Sequence, residues 1–211
     1  MTTRRAAIIL AAGKSTRMKS ARSKVLHPVG GRPMIDWVTA LARGAGVEKI
    51  VCVVGEGNAD VRAAAEAQGL DISIQEPQLG TGHAVQCAKA ALAGFEGQVV
   101  VLYADTPLIT GETLSRVFDA FETHAMSVLG FEPEDPAAYG RLVTSGDDLH
   151  AIVEAKECSA EQLKIGLCNS GVVAASAADL FSACDRVTND NLKGEYYLCL
   201  LYTSPSPRDR G

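Results

Sequence analysis

The sequence has no C-x-x-C pair, no dense block of lysine and arginine, no internal repeat and no apolar run near the ~18 residues of a membrane span. Each absence removes a class of protein. Six cysteines (Cys52, Cys87, Cys158, Cys168, Cys184 and Cys199) are scattered, mostly among apolar neighbours, where a free thiol behaves as a small hydrophobe. A reducing cytoplasm is therefore the expected compartment. The opening MTTRRAAIILAAG has too short an apolar run, and no cleavage pattern, for a secretory leader. Net charge is −5, from 20 Lys and Arg against 25 Asp and Glu, so a nucleic-acid or membrane partner is not expected. His27, His83, His124 and His150 share no metal-ligand spacing.

What is present is an ordinary globular composition, 47% hydrophobic and 21% charged over 211 residues, enough for one sizeable domain. Short apolar or β-branched runs predict strands at Ala6–Ala11, Lys49–Val54, Ile72–Ile74 and Gln98–Tyr103. Helical patterns fall between them. One runs from Pro33 to near Gly46 with Met34, Ile35, Val38, Leu41 and Ala45 inward and Trp37 on its buried face. Others cover Ala59–Ala67, Gly82–Leu92 and the segment marked by Leu114, Val117, Phe118 and Phe121. The second half offers strands at Met126–Phe131, Arg141–Thr144, Ala151–Val153 and Leu167–Ala174, with fewer helices. This alternation predicts an α/β fold, a Rossmann-like doubly wound, mostly parallel sheet with an antiparallel extension.

In such sheets ligands bind beyond the carboxyl ends of the strands. Three segments lie there. Leu10-Ala11-Ala12-Gly13 lets a backbone turn its N–H groups towards phosphate, and Lys14, Arg17 and Lys24 follow in an otherwise acidic chain. It is neither a GxGxxG fingerprint nor a Walker A loop, which argues against a nicotinamide-dependent oxidoreductase. Tyr103-Ala104-Asp105-Thr106-Pro107 ends the strongest strand, where Asp105 suits either a divalent cation or a turn. Gln75 to His83 suits recognition of a base edge, or only a turn and a helix cap.

The ordered set LAAGKSTRM, SKVLHPVGGRPM, QLGTGHAV, LYADTPL, YGR, IVEAK, NSG and NDNLKGEYYL resembles the sugar-phosphate nucleotidyltransferases, which share the nucleotide-diphospho-sugar transferase fold. Within them it is most similar to the uridyltransferase halves of bacterial bifunctional enzymes that make UDP-N-acetylglucosamine. The resemblance runs from Ile8 to Leu198 and implies UTP and N-acetylglucosamine 1-phosphate as substrates, with Mg²⁺ as cofactor. It implies that Leu10, Ala11, Ala12 and Gly13 line the uridine and phosphate site, with Arg17 and Lys24 as catalytic cations. Gln75, Gly80 and Thr81 would then read uracil, and Tyr103, Ala104 and Asp105 would hold the ribose side, Asp105 as the metal ligand. Gly140, Glu154 and Asn169 would bind the N-acetylglucosamine moiety.

Departures from the family pattern are few within that span: Ser15 and Ala104 stand where glycine is common. At the end they are larger. The family continues past EYYL into a helix, a further metal-binding asparagine and a β-helical acetyltransferase. Here Cys199–Gly211, with two Ser-Pro steps, does not match. The expectation is a domain over 1–198, native sequence ending near Leu198, a disordered tail over 199–211, and a monomer. Two other readings stay open: a transferase for another nucleotide or hexose phosphate, and a nucleotide-sugar binding module without catalysis.

Overall fold

A computed structural model of the chain describes residues 3–13, 18, 20, 22–146, 148–189 and 194–198, apart from the side chain of Glu122. Arg17 and the 199–211 segment lie outside the described residues.

Arg5–Leu10 (β1) is apolar on both faces from Ala6 onwards, as a strand covered on both sides must be. It pairs in parallel with Lys49–Gly55 (β4) on one edge and Gln98–Tyr103 (β6) on the other. Asp71–Gln75 (β5) adds a further parallel strand beyond β4. On the far side, Cys168–Ser176 (β10) runs antiparallel to β6 and also pairs Met126–Phe131 (β7). Arg141–Ser145 (β8) and Asp148–Val153 (β9) form an antiparallel hairpin joined to β10 at Cys168. The sheet order is β5-β4-β1-β6-β10-β8-β9, with β7 also on β10. A separate two-stranded ribbon joins Pro28–Val29 (β2) to Arg32–Pro33 (β3).

Successive side chains of a strand point to opposite faces, and the core divides accordingly. Ile8, Leu10, Val51, Val53, Val99 and Val101 share one cluster with Val85 of helix α3 (Thr81–Cys87) and Leu180 of α5 (Ala177–Cys184). Ala7, Ile9, Cys52, Val54, Val100 and Leu102 share the other with residues of three helices. These are α1 (Met34–Gly44), α2 (Ala59–Ala67) and α4 (Gly111–Asp119). The doubly wound, mostly parallel sheet with an antiparallel extension is what the alternation of patterns predicts.

Details differ at the helices. Trp37 does not belong to the buried face of α1: it is 38% exposed. Its indole N–H donates to the Val29 carbonyl at 2.8 Å, and the Arg32 guanidinium lies 5.0 Å from the ring centroid. The β2–β3 ribbon thus gives the ring a polar and a cationic neighbour at the surface, a combination an indole accepts more readily than full burial. The inward residues of α1 are Met34, Ile35, Val38, Thr39 and Ala42, with Leu41 only partly covered. Helix α3 ends at Cys87 rather than Leu92, although Ala88 and Leu92 remain buried. Helix α5 goes beyond the sequence reading. Ser176 closes β10 and also caps the helix, its hydroxyl accepting the Asp179 N–H at 3.0 Å, so no loop residues separate the two elements.

Burial pushes the Cys52 thiol up to about 12, and burial followed by the neighbouring Asp185 charge does the same for Cys184. Both are free thiols. The folded chain keeps these protons at pH values where the unfolded chain releases them, so stability is expected to fall as pH rises from about 9 towards 12. The same burial predicts no alkylation of Cys52 or Cys184 by iodoacetamide at pH 8 until denaturant is added. Mass spectrometry of the labelled protein checks this.

Candidate active site

Three of the parallel strands, β1, β5 and β6, end in a common cleft. After β1 the chain stays inside the sheet: the Ala11 N–H donates to Val53 O at 2.8 Å and the Ala104 N–H to Leu10 O at 3.1 Å. This stitches the Leu10–Gly13 turn to the ends of both neighbouring strands. Lys24 opens a 3-10 turn, Lys24–Leu26. The residue before it is anchored to α2, with the Ser23 hydroxyl donating to Asp60 Oδ1 at 3.1 Å and its N–H to Oδ2 at 3.4 Å. Desolvation works to raise the Asp60 carboxyl, but hydrogen bonds from Val61 and Ser23 outweigh it and hold the group below its usual range.

From that anchor Lys24 reaches across the cleft, and its Nζ lies 2.6 Å from Asp105 Oδ2 beyond the end of β6. Both side chains keep solvent access, 40% for Lys24 and 31% for Asp105. Two segments separated by 81 residues thus deliver opposite charges to one point.

The opposite wall is the segment from Gln75 to α3. Gln75 donates through Nε2 to Gly80 O at 2.9 Å, and Gln78 donates to Ala12 O at 2.7 Å, tying this wall to the first turn. The wall is backed by a distant part of the chain. Gly82 donates its N–H to Tyr196 O at 2.7 Å, Tyr196 donates to Leu79 O at 2.8 Å, and Leu198 donates to Thr81 Oγ1 at 2.9 Å.

The resulting cleft is about 620 Å³, in the range of small-molecule sites. Leu10, Ala11, Ala12, Gly13, Lys24, Gln75, Gly80, Thr81, Tyr103 and Asp105 all line it. Ala104 is buried beneath and does not. A second cavity of about 200 Å³ shares Thr81 and Tyr103 with the first and contains Glu154 and Asn169. Gly140 does not line it but sits alongside: a Cβ there would be 3.5 Å from Glu154 Oε1, and its carbonyl accepts the Asn169 N–H at 2.8 Å. Every described candidate from the sequence therefore falls in or beside one of two cavities that share Thr81 and Tyr103.

Sequence reasoning passed over Gln78, Glu195, Tyr197 and Gly171, which also line these cavities. All four lie inside the motifs quoted above, but nothing local in NDNLKGEYYL shows Glu195 and Tyr197 folding back towards α3. Gly171 matters for a steric reason. Its φ is +84°, and a Cβ would lie 2.6 Å from Tyr103 Cε2. Gly171→Ala is expected to displace the Tyr103 ring and to cost about 1–2 kcal/mol. A urea titration checks the cost, and loss of any ligand-induced change in tyrosine fluorescence checks the displacement.

Comparison with known proteins gives a consistent picture. A family model described as the MobA-like NTP transferase domain matches residues 7–190. The chain is 56% identical over 200 residues to the bifunctional protein GlmU of Maricaulis maris (strain MCS10), covering 94% of this chain and 44% of that protein. It is 54% identical over 198 residues to the same-named protein of Hyphomonas neptunium (strain ATCC 15444), covering 92% and 43%. The chain thus spans less than half the length of these curated relatives. Among solved structures, a UDP-glucose pyrophosphorylase complexed with UDP-glucose superposes with a TM-score of 0.74 at 19% identity, covering 94% of this chain and 85% of the other. A putative glucose-1-phosphate thymidylyltransferase from Bacillus anthracis in complex with a sucrose gives 0.72 at 18% identity, covering 86% and 75%. At such identities these two structures speak to the fold alone.

Proposed function

This chain belongs to the family of MobA-like NTP transferase domains, and on that premise we propose that it transfers a uridylyl group from UTP to N-acetylglucosamine 1-phosphate, releasing pyrophosphate. The observation that carries the reading is the meeting of Lys24 and Asp105, 2.6 Å apart, in a cleft whose other wall is Gln75, Gly80 and Thr81. The similarity to GlmU proteins supports the choice of substrates. The product is a nucleotide sugar of the kind consumed in cell-envelope synthesis, and its soluble substrates belong to the cytoplasm.

Each residue has a physical task. Beyond Leu10, the Leu10–Gly13 turn brings backbone and only the small residues Ala11, Ala12 and Gly13 beside the phosphates. Lys24 and Arg17 neutralise charge as two anions approach at the α-phosphorus. Gln75, Gly80 and Thr81 hold uracil, Tyr103 and Asp105 the ribose and phosphate side, with Ala104 packed behind them. Glu154 and Asn169, with Gly140 beside them, meet the sugar in the adjoining cavity. No general base is required, because the attacking phosphate oxygen is already ionised near neutral pH. Among the described residues no histidine lines the cleft.

Magnesium fits the donors at hand. Mg²⁺ is commonly held by one or two carboxylates together with substrate phosphates, and Asp105 and Glu195 line the same cleft. Among the described residues no group of three or more His, Cys, Asp or Glu side chains could hold a metal, so substrate oxygens would complete the shell. Bound at Asp105, the ion would supply further charge neutralisation at the phosphates.

The test is pyrophosphate release by this chain with Mg²⁺, UTP and N-acetylglucosamine 1-phosphate, compared with CTP, GTP and glucose 1-phosphate. Release that requires UTP and the N-acetylated sugar supports the proposal. Binding without release supports a non-catalytic module, and faster release with another pair moves the assignment to that pair.

A further inference from the structure

The amide of Gln75 has its orientation fixed by its surroundings. Its nitrogen lies 2.9 Å from the Gly80 carbonyl, which only accepts hydrogen bonds, so Nε2 and not Oε1 faces that atom. The same nitrogen lies 3.2 Å from His83 Nδ1 on α3. With one N–H on Gly80, the second points at the imidazole, and Nδ1 must accept it. That places the ring proton on Nε2, which faces Cys87 Sγ at 3.8 Å. Burial raises the Cys87 thiol, so the sulfur stays a neutral weak acceptor there. Both donors of the Gln75 amide are thus taken by the protein, while Gln75 lines the cleft. The atom left to meet a ligand is the carbonyl oxygen.

We infer that His83 is a positioning residue for base selection: by accepting one N–H of Gln75, it keeps the amide oxygen turned to the nucleobase and favours a base that donates at ring N3 over one that accepts there. This rests on the proposed uridine reading. Uracil has a single donor on its pairing edge, N3–H, between two carbonyls, so an acceptor-only Gln75 has one atom to meet. Cytosine presents a lone pair at N3 instead, which an amide oxygen repels. Without an acceptor at residue 83, only the Gly80 bond opposes an amide flip. The flipped amide would offer its N–H to cytosine N3.

The experiment is calorimetric titration of this chain with UDP, CDP and inorganic pyrophosphate, for the native protein, His83→Leu and His83→Asn. The native chain is expected to bind UDP more tightly than CDP. Loss of one hydrogen bond in His83→Leu should reduce the Kd ratio of CDP to UDP about fivefold. Asparagine carries an oxygen close to the position of Nδ1, so His83→Asn should keep the ratio within about twofold. Pyrophosphate, which has no base, should bind all three alike. His83→Ala replaces the leucine variant if leucine does not fold. An unchanged ratio in His83→Leu, with native UDP preference intact, overturns the role of His83 alone. Parallel weakening of all three ligands makes His83 merely structural and also overturns it. A native chain without preference for UDP overturns the uridine reading and this inference together.

Discussion

Replacing Lys24 with alanine is expected to slow pyrophosphate release from UTP and N-acetylglucosamine 1-phosphate by about 10²–10³-fold, and Asp105→Ala to do the same. Two anions must approach each other at the α-phosphorus, and fixed positive charge in the cleft offsets their repulsion at no reorganisation cost. Lys24 is such a charge, held by the turn that Ser23 and Asp60 anchor. Stability should respond far less. The Lys24–Asp105 pair keeps solvent access on both sides, 40% and 31%, and pairs with such access contribute about 0–1 kcal/mol. The measurement is turnover beside thermal melting: a large loss of rate with a Tm change of only a few degrees. Near-native rates in both variants would remove these residues from the chemistry.

Gly80→Ala is the second large effect, and it should act on fold and binding together. Gly80 has φ of +107°, where a side chain is strained, and a Cβ would lie 2.6 Å from Tyr196 O and 2.9 Å from Tyr196 N. These are backbone atoms, so no rotamer change relieves the clash. The bonds from Gly82 to Tyr196 and from Tyr196 to Leu79 would have to open. Strain of this kind costs about 1–3 kcal/mol, and lost pairing adds to it. The expected result is a Tm lowered by roughly 5–10 °C and UDP affinity reduced at least about tenfold. Gly94→Ala is the control. Its φ is +73° but nothing lies within 4 Å of the added atom, so only the smaller conformational cost should appear, with UDP affinity unchanged.

What could be read from the sequence follows from where the physics is local. β1 and β6 are continuous apolar runs, and only a sheet covered on both faces buries them entirely. That the turn after β1 and the Asp105 segment after β6 lie at the carboxyl ends of their strands is legible from the runs themselves, and such strand ends are the general place for a ligand in these sheets. That Lys24 touches Asp105 is different in kind, since it needs the order β4-β1-β6 to bring two loops to the same edge. Closure by distant segments escaped the sequence altogether. Tyr196 docks at the start of α3 through backbone bonds, which carry no side-chain signature. The Tyr103 ring over Gly171 joins β6 to β10, strands whose pairing depends on the antiparallel return of β10. Trp37 departs from the expected burial because helical periodicity gives a face but not what covers it, and here the cover is a two-stranded ribbon that leaves the indole partly in water.

On the proposed function, the cleft and its neighbouring cavity together hold one nucleotide sugar. The most direct measurement is a crystal structure of this chain soaked with UDP-N-acetylglucosamine. Expected are uracil against Gln75 and Gly80, the diphosphate between the Leu10–Gly13 turn and Lys24, and the N-acetylated sugar beside Glu154 and Asn169. Density for the ligand elsewhere, or with its uracil in the smaller cavity and its sugar against Gln75, would contradict it.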